Sequence, residues 1–169
     1  MTMHADITRS FPVSGTFNPM QKILYEIVLK GQREVEKKAR SGVTIEELNE
    51  ICWNSVNDGL EKKFLAAGVK CKLRYKERPH GVSHLMGEQE HDGDPFRNYA
   101  SKPMKAGWMI SNEPGLYGEF KIRLGGKTYD ETIGIRIEDN LVMTETGCIN
   151  LSNIIPKSVA DIERLMADS

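Results

Sequence analysis

The apolar positions of this chain change their period once. Ile23, Leu24, Ile27, Val28 and Val35 recur at helical spacing behind Asn18-Pro19, an N-cap followed by a proline in the first turn. That pattern predicts a helix to about Arg40, ended by Ser41-Gly42. Thr44-Ile45-Glu46-Glu47 is a capping box. It opens a second predicted helix with Leu48, Ile51, Cys52, Val56, Leu60 and Phe64 facing inward and Gly68 as its stop. From Cys71 to Leu151 the apolar residues come instead in short extended pieces between turns. In the clearest piece, Ile133 to Glu138, alternation puts Ile133, Ile135 and Ile137 on one face and Gly134, Arg136 and Glu138 on the other. Leu141–Thr144 and Cys148–Leu151 read as a hairpin around the turn Glu145–Gly147. The charged stretch Glu119–Glu131 reads as a polar loop that tunes access to a site, with a hairpin turn at Leu124-Gly-Gly-Lys127. Ser158 to Met166 read as a final helix capped by Ser158, with Asp161 at its third position. Helices, then a mostly antiparallel sheet, then a helix is an α+β layout.

Composition narrows the class. The 169 residues suit a single domain, expected here to occupy residues 1–169, and a chain of this size buries roughly two-thirds of its unfolded surface. A net charge of −1 gives no bulk attraction to nucleic acid or an anionic membrane, so neither is expected as a partner. The basic run Lys70–Arg78 reads as a solvated strand or loop. Three widely spaced cysteines, Cys52, Cys71 and Cys148, argue against a disulfide framework and for a reducing compartment, the cytoplasm. No apolar run approaches the ~20 residues that span a bilayer, and no secretory signal is visible at the N-terminus.

The candidate chemistry is concentrated. Three of the four histidines, His80, His84 and His91, fall in Pro79–Asp92. Such a cluster supplies metal ligands, acid–base groups or hydrogen-bond donors. Pro79, Gly81 and Gly87 argue against a regular helix there. Glu113 sits where a strand ends at Pro114-Gly115. Glu138 follows the alternating isoleucines on a face shared with Arg136, an arrangement that a solvated strand does not need. Asp6 lies in a short extended piece near the start. Asp6, His84, Glu113 and Glu138 together form an oxygen-rich set with one imidazole, suited to manganese, cobalt, iron or zinc. Such an ion acidifies a bound water and polarises a carbonyl. Leu124-Gly-Gly-Lys127 lacks a phosphate-loop pattern, and Asp92-Gly-Asp94 lacks the remaining positions of a calcium loop.

Four stretches in order, ADITRSFPVSG, PHGVSHLMG followed by HD, SNEPGLY and GIRIEDNLVMTETGCINLS, closely resemble the pita-bread metallopeptidases of the aminopeptidase P and prolidase branch. The resemblance runs from about Ala5 to the C-terminus. It implies the C-terminal half of that fold and a two-metal hydrolase that cuts peptides before a proline. It implies metal-ligand roles for Asp6, His84, Glu113 and Glu138, with Asp6 and Glu138 bridging. Glu113 would also handle the nucleophilic water. His80 and His91 would contact substrate and stabilise the tetrahedral intermediate, with Arg136 facing the substrate or supporting the ligands. Manganese is the first expectation for the ion.

The family carries one more aspartate about eleven residues before the position of Asp6, which falls before the first residue of this sequence. One site is therefore expected to be complete and a second to bind weakly. The first half of the fold is likewise expected to be absent, leaving a bare sheet edge and face for a second copy or a separate chain. The readings that follow are an Xaa-Pro peptidase half or a non-catalytic module that binds a partner or peptide.

Overall fold

The computed structural model describes residues 4–64 and 78–167. Helix α1, Pro19–Lys38, starts at Asn18, whose side chain accepts the N–H groups of Met20 and Gln21 while the Gln21 side chain accepts from the Asn18 backbone. Asn18 and Gln21 both donate onward to Glu131, at 2.7 and 2.8 Å, which ties the helix start to the sheet. Helix α2, Ile45–Gly59, has the expected capping box between Thr44 and Glu47. It ends earlier than its apolar pattern suggests, passing into a single π-helical turn, Leu60–Phe64. The predicted stop at Gly68 lies outside the described residues, as does the basic run up to residue 77. The two helices pack closely because glycines face side chains. A Cβ on Gly31 would lie 3.0 Å from Val56, and one on Gly59 would lie 3.0 Å from Ile27.

Among the described residues six strands follow: β1 Leu85–Met86, β2 Met109–Asn112, β3 Gly115–Leu124, β4 Lys127–Arg136, β5 Asp139–Met143 and β6 Cys148–Asn150. They form a four-stranded sheet in the order β1-β2-β5-β6 and a separate β3-β4 ribbon, with every pairing antiparallel. The expected hairpin at Leu141–Leu151 is β5-β6. Helix α3, Val159–Ala167, is capped by the Ser158 hydroxyl, which accepts the Asp161 N–H at 3.1 Å.

Two expectations need correction. Glu119–Glu131 is not a loop: it forms most of the β3-β4 ribbon, turning at Gly125-Gly126 with φ of 55° and 80°, left-handed values that glycine adopts without strain. Its charges alternate with the buried Phe120 and Ile122, so the two-residue period was present beneath the polarity. The strand expected to reach Glu138 stops at Arg136. Beyond it the chain changes partners: Ile137 donates to the Pro114 carbonyl and Glu138 to that of Thr8.

That change of partner positions the site. The chain passes from the sheet to the ribbon through Glu113-Pro114 and back through Ile137-Glu138. Asn112 opposes Asp139 on the sheet side, and Gly115 opposes Arg136 on the ribbon side. The two crossings therefore lie beside each other, and each carries one glutamate. The buried Gln32 of α1 pins them, donating to the Ile137 carbonyl at 3.3 Å and accepting the Asn112 side-chain amide on its own carbonyl at 3.0 Å. The core that supports this crossing joins Leu24, Ile27 and Val28 of α1 to Trp53 and Val56 of α2 and to Ile110, Leu116, Ile135 and Leu141 of the sheets.

Candidate metal centre

His84 precedes β1 and extends its pairing: its N–H donates to Ser111 Oγ at 2.9 Å, and its carbonyl accepts the Ser111 N–H at 3.0 Å. Glu113 follows β2, with its N–H donating to the Val82 carbonyl at 2.9 Å. Asp6 belongs to no regular element. Its backbone is gripped by the Asn140 side chain, which accepts the Asp6 N–H at 3.2 Å and donates to the Asp6 carbonyl at 2.6 Å.

These elements converge on His84 Nε2. Glu113 Oε1 lies 3.4 Å from it and Asp6 Oδ2 lies 3.5 Å away. On the other side of the ring, Nδ1 lies 3.3 Å from the Leu85 carbonyl and donates to it, which leaves Nε2 as the ring nitrogen turned toward the carboxylates. His84 Nε2 is buried without a hydrogen-bond partner, and so is Glu138 Oε1. The other Glu138 oxygen accepts from the Thr8 hydroxyl at 2.5 Å. Burial, above all, pushes the Glu138 carboxyl up to about 7; the Thr8 hydrogen bond opposes this, the charges of Glu113 and Asp6 add to it, and Arg136 opposes it. A proton on His84 Nε2 would leave Glu138 Oε1 still orphaned. One divalent cation satisfies both atoms and offsets the clustered negative charge, so the donor set fits such an ion.

The remaining predicted residues stand around this point. Two donor groups have their ligand atoms within 4.8 Å of one another: His84 with Glu113 and Glu138, and His84 with Asp6 and His91. His80 is in neither. Its Nδ1 donates to the Gly81 carbonyl at 2.7 Å, and its Nε2 lies 3.2 Å from the Tyr117 hydroxyl. Arg136 donates to the same hydroxyl at 2.9 Å and reaches Glu113 Oε2 at 3.5 Å. His80, His84, His91, Glu113 and Arg136 all line one cavity of about 630 Å³.

Several residues that hold this arrangement were not singled out from the sequence. Arg9 donates to the Glu138 carbonyl at 2.5 Å and to Asp139 at 2.6 Å. Burial alone would raise the Asp139 carboxyl, but hydrogen bonds from Lys157, Asn150 and Arg9 outweigh it and hold it below the usual carboxylate range. Tyr117 joins Arg136 to His80. The available signal was the run Glu138-Asp139-Asn140, three polar residues between Ile137 and Leu141 where a core strand should be apolar.

Comparison with known proteins places the chain among peptidases. Residues 1–145 match metallopeptidase family M24. An Xaa-Pro aminopeptidase from Haemophilus influenzae is 33% identical over 95% of this chain and 38% of its own length. A mitochondrial intermediate cleaving peptidase 55 from Arabidopsis thaliana is 32% identical over 96% of this chain and 32% of its own. The solved structure of a putative aminopeptidase P from Bacillus anthracis superposes with a TM-score of 0.79 at 33% identity, over 96% of this chain and 35% of that one. The chain thus spans about a third to two-fifths of the length of these relatives and corresponds to their C-terminal part. Its α+β architecture is that of the pita-bread aminopeptidase P structures.

Proposed function

Given that the chain belongs to metallopeptidase family M24, we propose that it is the metal-binding catalytic half of an Xaa-Pro peptidase. In this reading Asp6, His84, Glu113 and Glu138 hold a divalent ion, manganese first, with cobalt, zinc or iron as substitutes. The observation that carries the reading is the pair of buried, unpartnered atoms, His84 Nε2 and Glu138 Oε1, facing into one carboxylate cluster. Such an ion supplies an acidified water and a polarised carbonyl.

The chain's own groups do the rest. Glu113 takes the proton of the attacking water and returns it to the leaving proline nitrogen. Arg136, 3.5 Å from Glu113 Oε2, keeps that carboxylate oriented. His80, braced by Tyr117, and His91 line the wall against which the scissile carbonyl rests and take up its developing charge. The cavity is large enough for a short peptide.

The same reading makes residues 1–169 a partial domain, because the relatives are more than twice as long. A second copy of the chain or a separate polypeptide is one source of the rest of the fold seen in those relatives. Strand β6 is a sheet edge, and Ile149, Leu151 and Ile154 beside it are exposed, which supports that association. If no completing chain engages, the half acts as a peptide- or partner-binding module. No helix among the described residues is long and apolar enough to cross a membrane. The unpaired Cys52 and Cys148 suit a reducing compartment, the cytoplasm in the first instance.

The test is hydrolysis of a short Xaa-Pro peptide by the purified chain with added manganese. Turnover that Glu113→Gln removes supports the enzyme reading. Manganese binding without turnover, in a chain that still retains the peptide, supports the binding module instead.

A further inference from the structure

Ser111 is buried in β2 and is not one of the proposed ligands, yet two of them meet at its hydroxyl. In an antiparallel ladder a hydrogen-bonded pair of residues exchanges two backbone bonds. Between Ser111 and His84 only one of the two is a backbone bond. The Ser111 N–H donates to the His84 carbonyl at 3.0 Å, while the His84 N–H donates to Ser111 Oγ at 2.9 Å. A backbone N–H can only donate, so Oγ is the acceptor there and its own proton is directed elsewhere. Glu113 Oε1 accepts it, at 3.3 Å. The same Oε1 lies 3.4 Å from His84 Nε2, whereas Oε2 lies 3.5 Å from Arg136. The His84 backbone, the Ser111 hydroxyl, Glu113 Oε1 and the His84 imidazole thus close a ring. Ser111 also stands opposite Asn140 of β5, so the two share a face of the sheet. Since Asn140 grips the Asp6 backbone, one buried cross-strand pair touches three of the four proposed ligands.

We propose that Ser111 is a positioning residue for the metal centre: its hydroxyl turns Glu113 Oε1 toward His84 Nε2 and so gives the two oxygens different tasks, Oε1 for the ion and Oε2, on the Arg136 side, for the attacking water. The inference rests on the metallopeptidase reading and adds a residue that touches neither the ion nor the substrate. The terminal torsion of a glutamate is broad and roughly two-fold, so without this bond either oxygen can face the imidazole. A serine with a purely structural role needs only to accept the His84 N–H. The positioning role needs the hydroxyl proton as well, and the two roles separate on that difference.

The test compares the full chain with Ser111→Ala and Ser111→Thr, using cobalt alone as the probe. The readouts are calorimetric affinity and the visible absorption of the cobalt-loaded protein, beside urea unfolding of the metal-free chain. Ser111→Ala should lose about tenfold or more in cobalt affinity and alter the spectrum, as for removal of a group that orients a ligand. Ser111→Thr, which keeps the hydroxyl and suits a strand, should restore both. Should the alanine variant not fold, Ser111→Cys takes its place, with the same loss expected from its weak donor. Wild-type affinity and spectrum in the alanine or cysteine variant, with only unfolding stability reduced, overturn the positioning role and leave the metal centre standing. A stable threonine variant that restores neither affinity nor spectrum overturns it too. A folded wild type that takes up no cobalt overturns the metallopeptidase reading of the site, and this role with it.

Discussion

Asn140 holds Asp6 by both of its backbone polar groups, across 134 residues of sequence. One side-chain amide does what a neighbouring strand would otherwise do, so a segment with no regular structure of its own brings its carboxylate to His84. Replacing Asn140 with alanine should release Asp6 without touching any proposed ligand. We expect metal affinity to fall about 10- to 100-fold, measured by calorimetry, as for loss of a group that orients a ligand.

Glu138 predicts how stability responds to pH. Burial pushes its carboxyl up to about 7 in the folded chain, above the ordinary glutamate value of 4.5. The unfolded chain therefore sheds this proton first as pH rises. The contribution of Glu138 to stability is fully present below about 4.5 and is lost as pH rises through about 7. Thermal melts of the metal-free chain should show that decline, and Glu138→Gln should flatten it. Added manganese should raise the melting temperature most at the alkaline end of the window, because binding must displace the proton.

Asp139 works in the opposite direction. Its carboxyl lies below the usual range, so its contribution is present above the ordinary aspartate pKa and is lost as pH falls through the depressed folded value. Asp139→Asn leaves Lys157 and Arg9 without their buried counter-charge. A loss of about 3 kcal/mol in urea unfolding is expected, the scale for breaking a buried ion pair from one side.

Gln32 tests whether the paired crossings need their pin. Gln32→Leu removes the donor to the Ile137 carbonyl. It should cost about 1–3 kcal/mol of stability, the penalty for stranding a buried acceptor. It should also weaken metal binding, because Ile137 adjoins Glu138.

The local parts of this structure were legible in the sequence. Caps and apolar periods marked the beginnings of α1, α2 and α3, since a capping box and a helical stripe are short-range signals. The alternation around Ile133 marked a buried face. Four motif stretches supplied the proposed ligand residues, and the structure brings His84 together with Asp6, Glu113 and Glu138. The supports were not legible. Arg9 reaches Asp139 across 130 residues, and no local pattern announces such a contact. The β3-β4 ribbon was hidden because Glu119, Lys121 and Arg123 on its outer face made a two-sided strand look like a loop.

The central claim is that a divalent ion is held by the group His84, Glu113 and Glu138, where His84 Nε2 and Glu138 Oε1 are buried without hydrogen-bond partners. The most direct test is metal content by mass spectrometry after the purified chain is loaded with manganese and dialysed, beside Glu138→Ala treated identically. The account predicts about one ion per chain in the wild type and almost none in the variant. A folded wild type that retains no metal, or a Glu138→Ala variant that retains as much, would contradict it.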